Sequence, residues 1–333
     1  MKILNRDTLT NINSYPYFYY SSYALFVKQS EKKNIIIFVD ENKNTICCKL
    51  WKNKFLNYVQ LIYPPLDKNA ERVFEKDEKL FLENLIEYFI KNKLCNRICQ
   101  PENFAIFNTV PDDAISSPFG TYVLNLSEYT KDELFKKLHT KHRNVIKNAE
   151  KNNVELKYGR KYIDDFYLLY KQTMQRSNMY CQDISYFQNF YNSMPDNIIC
   201  GVAYYNNIPQ GALFMPFTKY SAFYLYGASA EKMEINGVIT YLHWNTIKML
   251  KEKDVKRYDF VGARLSDVTG TKLHGIQQFK ERFGGTLEKG FLWKMDINKL
   301  KCVLFDTLVN LKLKVIRIDI PKDIIDQELE KHG

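Results

Sequence analysis

The sequence has 333 residues, of which 45% are hydrophobic and 26% are charged, and its formal net charge at pH 7 is +10. This composition excludes a disordered or fibrous chain, and the length favours two domains or one duplicated domain. The positive charge favours anionic partners such as nucleic acid, phosphorylated substrates or an acidic membrane surface, although lysine-rich composition alone is an equal alternative.

The seven cysteines are predicted to be free thiols. Cys47 and Cys48 are adjacent, Cys95 and Cys99 are four apart, and no CxxC pair occurs. The five histidines do not stand at ligand spacing from them, so neither a disulfide framework nor a metal site is expected. The N-terminal sequence MKILNRDTLTNINSYPYF lacks the apolar core of an export signal, and no apolar run is long enough to cross a bilayer. These features predict a cytoplasmic protein.

Residues 1–115 predict a first domain of short strands and one helix. The segment NIIIFVDENKNTICCKLW predicts two strands around a polar turn at residues 40–44, and VQLIYPPL predicts a third. The segment EKLFLENLIEYFIKNK has apolar residues at helical spacing, and FAIFNTV returns to strand. The loop-like segment VPDDAISSPFG that follows is the predicted domain boundary.

Residues 116–300 predict a second domain. The strand TYVLNLS precedes one long helix, KDELFKKLHTKHRNVIKNAEKN, which the strand VELKYG and two further helices follow. The strands IICGVAYYN, ALFMPFTK and SAFYLYGAS come next, before the helix VITYLHWNTIKMLKEK, the strand RYDFVGA and a closing helix and strand. This order predicts a mixed α+β fold rather than parallel βα units, and no P-loop or GxGxxG sequence interrupts it.

The closing helix, GIQQFKERFGG, carries a lysine among its aromatic residues. At about 100° per residue, Ile276, Phe279 and Phe283 lie on one face, and Lys280 lies on that same face. We expect the three apolar residues to anchor the helix, the glycine pair to end it and Lys280 to border a partly dry cleft. The alternative is a lysine whose stem packs on apolar surface while its ammonium group reaches solvent.

Three long segments of the second domain together form a recognisable pattern. They are YVLNLSEYTKDELFKKLHTKHRNVIKNAEKNNVEL, FYLYGASAEKMEINGVITYLHWNTIKMLKEKDVKRYDFVGA and GIQQFKERFGGTLEKGFLWKMDI. This pattern resembles the Fem family of aminoacyltransferases, whose fold is similar to that of the GCN5-related N-acetyltransferases (GNAT). The resemblance implies two GNAT-like domains in tandem at 1–115 and 116–300, with mixed sheets flanked by helices and a C-terminal helix and tail at 301–333. Helix 238–252 leads directly into strand 257–262, so the chain is similar to the short members without a coiled-coil arm.

The resemblance implies an enzyme that moves an amino acid from aminoacyl-tRNA to an amine of a peptidoglycan or surface-glycan precursor. Such aminolysis needs proximity and positive charge near the developing oxyanion, and no cofactor is expected. The alternative is an acyl-CoA-dependent N-acyltransferase acting on an amino sugar in surface polysaccharide biosynthesis. The usual pyrophosphate loop is absent from EINGVITYLH, which retains only Gly237, and this favours the tRNA donor. A non-catalytic RNA-binding protein is a third class, against which the Fem-like closing segment argues.

The resemblance places Lys280 at the family's motif lysine beside the donor ester, and we expect it to be the catalytic residue. Lys141, Arg143 and Lys147 lie at helical spacings on one basic side of the helix that begins near Lys131. Such a cluster suits the phosphates of tRNA, of a nucleotide or of a lipid diphosphate. The alternative for these three residues is a solvated helix face.

The acceptor site is expected near two tyrosines. Tyr186 aligns with a substrate-contacting tyrosine of the short Fem enzymes, and Tyr226 ends a core strand where the acceptor site should open; the alternative for both is a place in the core. Lys28 matches a phosphate-binding lysine of the first half. Gln182 and Asn108 depart from the family pattern, since short Fem enzymes have an arginine and an aspartate there. These departures favour a lipid-linked precursor or an amino-sugar glycan over a free nucleotide-linked acceptor.

The C-terminal segment KLKCVLFDTLVNLKLKVIRID predicts an amphipathic helix. Leu300, Leu304, Leu308, Leu311 and Val315 lie along one side of it, and lysines flank them. One interpretation is a basic surface helix that meets anionic lipid at the inner membrane surface, where a lipid-linked acceptor would be found. The other interpretation is a helix packed across the two halves of the chain.

Overall fold

The computed structural model of the protein describes residues 1–9, 11–316 and 322–332. These residues form one large mixed sheet and one smaller antiparallel sheet, with helices packed around them. This is the α+β class that the sequence predicts. The division of the chain at residues 115 and 300 stays a prediction.

The first half combines five strands with two helices. The bounds are β1 (Lys2–Leu4), α1 (Ser21–Ser30), β2 (Asn34–Val39), β3 (Thr45–Lys52), β4 (Asn57–Leu61), α2 (Glu75–Lys91) and β5 (Arg97–Cys99). Strands β1 to β4 pair antiparallel, whereas β4 and β5 pair parallel. Phe81, Leu85 and Phe89 recur every four residues on α2, so one helix face is buried in the core that these strands share.

The second half contains most of the helices. Its bounds are β6 (Ile115–Asn125), α3 (Lys131–Lys137), α4 (Thr140–Lys151), β7 (Glu155–Tyr158), α5 (Ile163–Arg176), α6 (Ile184–Ser193), β8 (Ile198–Tyr205), β9 (Ile208–Pro216), β10 (Ala222–Phe223), β11 (Tyr226–Ser229), α7 (Val238–Glu252), β12 (Arg257–Asp259), β13 (Ala263–Arg264), α8 (Lys272–Glu281) and β14 (Thr286–Asp296). Two helices follow, α9 (Lys299–Ile316) and α10 (Ile324–His332).

The large sheet runs through both halves. Its strand order is β1-β2-β3-β4-β5-β14-β6-β12-β10, with β13 also paired to β6. Strand β14 joins the halves, because it pairs with β6 from Thr286 to Lys294 and then with β5 through Met295 and Asp296. The small sheet has the order β11-β9-β8-β7.

The segment from Ala222 to Ser229 belongs to both sheets. Its first part, β10, pairs with β12 in the large sheet, and its second part, β11, pairs with β9 in the small sheet. Tyr224 and Leu225 form the bend between them. The sequence predicts one strand here; the structure divides it in two, and an opening separates β11 from β12.

An aromatic cluster packs the first half against the second. Phe18 and Phe104 stack with ring centroids 6.1 Å apart, and Phe223 of β10 lies 4.9 Å from Phe104. All three rings are buried. Burial of large aromatic side chains is strongly stabilising, so the two halves share a core rather than a polar interface.

The prediction of a loop over VPDDAISSPFG is wrong for the second half of this segment. Strand β6 begins at Ile115 and continues through Pro118, which lies opposite Phe291 of β14. In a sequence, proline usually indicates the end of a strand because it has no N–H to donate to the neighbouring strand. It is tolerated inside a strand at a position where the neighbouring strand does not accept that hydrogen bond.

The single long helix predicted over residues 131–152 is in fact two helices. Helix α3 ends at Lys137, Leu138 turns to extended geometry, and α4 begins at Thr140. His139 donates its N–H to the carbonyl oxygen of Arg282 at 2.8 Å. The break therefore depends on a contact with a residue far along the chain.

Helix α9 forms as its periodicity predicts, but its leucine side does not pack across the two halves. Cys302 is buried and Phe305 partly buried, on the opposite side of the helix. The exposed leucines are Leu300, Leu304, Leu308 and Leu311. The side chain of Val315 lies outside the described residues.

Candidate functional site

The division of β10 from β11 leaves an opening beside β12. Tyr224, just past β10, still donates its N–H to the carbonyl oxygen of Asp259 at 2.9 Å. Strand β11 then turns away to pair with β9. The chain after Asp259 passes from the sheet into a turn at Val261 and Gly262 that borders this opening.

Lys280 of α8 is bound to this turn. The residue is 8% exposed, and its Nζ donates hydrogen bonds to the carbonyl oxygens of Val261 and Gly262, the latter at 2.6 Å. An ammonium group has three N–H donors, and the described residues accept two of them. The third has no hydrogen-bond acceptor among the described residues.

Burial lowers the pKa of Lys280 to about 8, and the nearby carboxylate of Asp259 partly opposes this shift. The group is therefore mostly protonated at pH 7 and becomes neutral as the pH rises above 8. A cation in a poorly solvated position interacts strongly with negative charge that develops beside it. This is the electrostatic property that acyl transfer to an amine requires.

Asp259 is a second buried charge and was not among the predicted site residues. It is 1% exposed, and its Oδ1 accepts hydrogen bonds from Thr121 Oγ1 at 2.5 Å and from the N–H of Val261 at 2.8 Å. Burial raises the pKa of Asp259 to about 6, against the lowering effects of the Thr121 hydrogen bond and of Arg257. The carboxyl group is therefore ionised at neutral pH and supports the charge on Lys280.

Val261 adopts a strained backbone conformation. Its φ is 46°, in the left-handed region that β-branched residues rarely enter, and Gly262 follows with φ of 56°. Asp259 bonds the N–H of Val261 and Lys280 bonds its carbonyl oxygen, so two buried charged side chains hold this conformation. Strain that is held in this way is concentrated at functional sites.

Tyr186 and Tyr226 contact each other beside the aromatic cluster. The hydroxyl of Tyr226, at the start of β11, donates to the hydroxyl of Tyr186 on α6 at 3.3 Å. Both tyrosines are partly exposed. Each of them packs against the aromatic cluster that joins the halves, and so does Val261. Burial raises the pKa of each phenol, so both remain neutral hydrogen-bonding groups. Tyr186 and Tyr226 thus contact each other, and among the described residues neither hydroxyl is hydrogen-bonded to Lys280.

The first half contributes a buried ion pair beside the tyrosines. Lys49 Nζ on β3 lies 2.8 Å from Glu102 Oε1 and 3.4 Å from Glu31 Oε2. Burial disfavours the charge on Lys49, but the two carboxylates outweigh it and raise the pKa of Lys49 above its usual value. Beyond the effect of burial, the Glu102 carboxylate contributes to the raised pKa of Tyr226. Charged residues of the first half therefore lie close enough to influence Tyr226 of the second.

Helix α8 is anchored by its last turns. Phe283 is fully buried beside His243 of α7, and Nε2 of His142 on α4 lies 3.0 Å from the carbonyl oxygen of Phe279. The expected anchoring by Ile276 is wrong, since this side chain is 41% exposed. Ile276 lies a turn earlier than the residues that His142 and His243 contact.

Gly284 ends the α8 segment in a left-handed conformation, with φ of 77°. A Cβ atom here would lie 2.5 Å from the carbonyl oxygen of Lys137, so the backbones approach too closely for any other residue. This contact and the hydrogen bond from His139 to Arg282 fix the end of α8 against the corner between α3 and α4.

The segments that contain Lys280 and Asp259 match a known protein family. The sequence model of the FemAB family matches residues 112–210 and 206–308, which together are more than half of the chain. This chain belongs to the FemAB family. It is therefore an acyltransferase at the level of that family. None of the curated proteins matches the sequence.

Solved structures share the fold at low sequence identity. The FemAB chain matches the crystal structure of FemX with a TM-score of 0.67 and 15% identity, over 91% of this chain and 98% of that one. It matches the C-terminal domain of a putative lysylphosphatidylglycerol synthetase from Agrobacterium fabrum with a TM-score of 0.53 and 12% identity, over 87% and 92%. A protein of unknown function from Bacteroides thetaiotaomicron gives 0.52 and 13%, over 87% and 96%.

The predicted basic cluster of this FemAB protein is not one surface. Lys141 and Lys147 are exposed on α4, but Arg143 folds back to the end of α3. Its guanidinium donates to the carbonyl oxygens of Lys136, at 3.0 Å, and Leu138. The physical reason is the helix break, which leaves carbonyl groups of α3 without intrahelical partners. Arg143 is therefore a helix cap, and only the two lysines remain candidates for phosphate contact.

Lys28 lies on α1 and Gln182 on the loop before α6. Lys28 is exposed, two residues beyond Phe26, whose ring packs 5.1 Å from that of Tyr186. Gln182 donates its N–H to the hydroxyl of Tyr170 at 3.3 Å. Neither residue has a recorded contact with Lys280 among the described residues.

Asn108 is directed to a buried carboxylate. Its N–H and Nδ2 groups donate to Glu78 of α2 at 2.7 Å and 3.3 Å, and Glu78 is fully buried. An aspartate at this position would face the Glu78 carboxylate, a repulsion that asparagine avoids. Asparagine in place of the family's aspartate therefore suits the buried carboxylate that this position faces.

A charge inside an apolar strand is the sequence signal for both buried residues, since Asp259 lies inside the aromatic strand RYDFVGA and Lys49 inside TICCKLW. The partners of Lys49 lie far away in sequence, so the ion pair itself was not predictable. Among the described residues, no three His, Cys, Asp or Glu side chains are grouped to hold a metal ion.

Proposed function

We propose that the protein is an aminoacyltransferase that moves an amino acid from aminoacyl-tRNA to an amine of a peptidoglycan or surface-glycan precursor. The observation that carries this proposal is Lys280, a buried ammonium group of which two N–H groups have acceptors among the described residues. Membership of the FemAB family supports the same chemistry. Because charged tRNA is a cytoplasmic donor, we place the reaction in the cytoplasm.

The proposed reaction is direct aminolysis. The acceptor nitrogen attacks the ester carbonyl carbon, a C–N bond forms, and the C–O bond to the ribose breaks. The nitrogen loses a proton and the ribose oxygen gains one, so atoms and electrons balance without a cofactor. Lys280 donates its third N–H to the oxyanion of the tetrahedral intermediate, and Asp259 keeps the ammonium group charged.

The packing of α7 supports tRNA over acyl-CoA as the donor. At Gly237, just before α7, a Cβ atom would lie 2.4 Å from the Cβ of Val145 on α4. Helix α4 therefore covers the helix end where a pyrophosphate loop would be needed. The exposed Lys141 and Lys147 on α4 suit contacts with the tRNA backbone, whose phosphates attract lysine without regard to sequence.

We assign the acceptor to a site beside Tyr186 and Tyr226. Their hydroxyl groups suit hydrogen bonds to a sugar or peptide, and the exposed Lys28 of α1 suits a phosphate group of the same molecule. Gln182, where the short Fem enzymes have an arginine, offers no positive charge to a nucleotide diphosphate. A lipid-linked precursor or an amino-sugar glycan is therefore the preferred acceptor.

A transfer assay with labelled donors tests the proposal. The full-length protein receives tRNA charged with labelled amino acids, or labelled acetyl-CoA, together with lipid-linked precursor, nucleotide-linked precursor or amino-sugar glycan. We expect label to pass from the tRNA to an acceptor amine, and acetylation of that amine beforehand to prevent it. If only the thioester supports transfer, the protein is the acyl-CoA-dependent enzyme and the proposal is wrong.

A further inference from the structure

Helix α9 presents an apolar face that no described element covers. Five large side chains on this face are each at least half exposed: Leu300, Val303, Leu304, Leu308 and Leu311. They recur at intervals of three and four residues and so form one stripe, which we call the leucine face. Phe55, itself 56% exposed, packs on Phe305 at 5.9 Å and adds to the apolar surface beside the helix. Scattered exposed leucines are ordinary, but a continuous stripe marks an interaction site.

The opposite side of α9 is fixed to the body of the protein. Cys302 is fully buried, and its thiol donates to the carbonyl oxygen of Asn96 at 3.4 Å. Arg97 of β5 pairs with Asp306 of α9 and with Asp296 of β14, each at 2.6 Å. The leucine face is thus presented outward by an anchored helix.

Exposed lysines border the leucine face on both sides. At about 100° per residue, Lys301 and Lys312 lie roughly 100–120° from Leu300 in one direction, and Lys299 lies about 100° away in the other. All three are exposed, although Asp113 lies 3.7 Å from Lys299 and partly neutralises it. An apolar stripe with basic borders is typical of helices that lie in a bilayer interface.

We propose that the leucine face of α9 docks the protein on a bilayer that contains anionic lipids. The helix has 18 residues, about 27 Å, and would lie flat in the interface with its lysines at the headgroups. No helix of the described residues has the length and apolar composition to cross a bilayer. A second copy of the chain fits less well, because two leucine faces in contact would bring their lysine borders together. The inference is independent of the donor and the acceptor.

Vesicle flotation of the full-length protein tests this proposal. We expect the protein to float with vesicles rich in phosphatidylglycerol, more weakly with phosphatidylcholine alone, and less in high salt. The double variant Leu304→Ser/Leu308→Ser should lower the partition by about tenfold or more, because it removes the apolar insertion. The variant Lys301→Gln/Lys312→Gln should lower it about fivefold or more on anionic vesicles and reduce the effect of salt.

The matched control is Leu80→Ser/Leu168→Ser, which removes two similarly exposed leucines from α2 and α5 and should bind as the unaltered protein does. Failure of the unaltered protein to float with anionic vesicles would overturn the proposal. Equal flotation of the Leu304→Ser/Leu308→Ser variant would overturn it too. If that variant instead converts a dimer in solution into a monomer, the face is an interface between copies and the lipid assignment is wrong.

Discussion

Lys280 and Asp259 bind the two backbone polar groups of one strained residue, Val261. The carboxylate binds the N–H of Val261 and the ammonium group binds its carbonyl oxygen, while both side chains are almost completely removed from water. Two buried opposite charges lessen the cost of burying each other. The charge on Lys280 therefore depends on Asp259, and the activity should show this dependence as a function of pH.

The first prediction is a pH profile. If the protonated form of Lys280 is the active one, the rate of transfer falls as the pH rises through about 8, the pKa to which burial lowers this lysine. Asp259→Asn keeps a hydrogen-bond acceptor but removes the charge that supports Lys280, so the falling limb should move to lower pH by about 0.5–1 unit. Asp267→Asn, on an exposed loop, is the control. If the falling limb of the pH profile has the same midpoint in Asp259→Asn as in the unaltered protein, the charges of Lys280 and Asp259 do not interact in the active form.

The sequence located Lys280 because a helical period of 3.6 residues makes a charge on an apolar face visible. Asp259 has the same character, but β12 has only three residues, too few for an alternating pattern to define a face. The ion pair of Lys49 with Glu102 joins a strand to a loop 53 residues away, a contact that no local pattern specifies. Charges on long helices are therefore the part of such a site that a sequence reveals.

At the scale of elements, α3, α4 and α8 form one corner. The hydrophobic periodicity of residues 131–152 is continuous, so the sequence predicts one helix. The break at Leu138 is stabilised by Arg143, which caps α3, and by the hydrogen bond from the N–H of His139 to the carbonyl oxygen of Arg282. The hydrogen bond between His139 and Arg282 joins residues far apart in the sequence, so a pattern of neighbouring residues does not predict it. The glycine pair, in contrast, correctly indicated where α8 ends, because only glycine suits that backbone.

Two glycine substitutions test this corner. Gly284→Ala should lower the free energy of unfolding by about 2–4 kcal/mol, because it places a Cβ in a left-handed conformation and against a backbone oxygen. Gly275→Ala is the matched control on α8: no atom lies within 4 Å of the added Cβ, so it should raise stability by about 0.5–1 kcal/mol. Urea denaturation measures both. Equal effects of the two substitutions would contradict the described end of α8.

At the scale of the molecule, the halves share both a sheet and a core. Strand β14 pairs with β5 and β6, and the aromatic cluster contains Phe18 and Phe104 from the first half and Phe223 from the second. Composition and element order predicted two related α+β halves. They did not predict how closely the halves are joined, since strand pairing across the chain is not encoded locally.

This shared core predicts a single unfolding transition. Far-UV circular dichroism and tryptophan fluorescence should give coincident urea curves, because Trp293 of β14 is buried in the core of the first half. Separate transitions would show that the halves are independently stable. The boundary near residue 115 would then mark two folding units rather than two regions of one.

We propose that Lys280 is the catalytic group of an aminoacyl transfer, and the rate of label transfer from charged tRNA measures this role. Lys280→Ala, and Lys280→Met with an apolar side chain of similar length, should lower that rate by about 100-fold or more while the urea midpoint shows a folded protein. Lys272→Ala, an exposed lysine of the same helix, should retain the rate of the unaltered protein. Near-normal transfer by folded Lys280→Ala would contradict the claim.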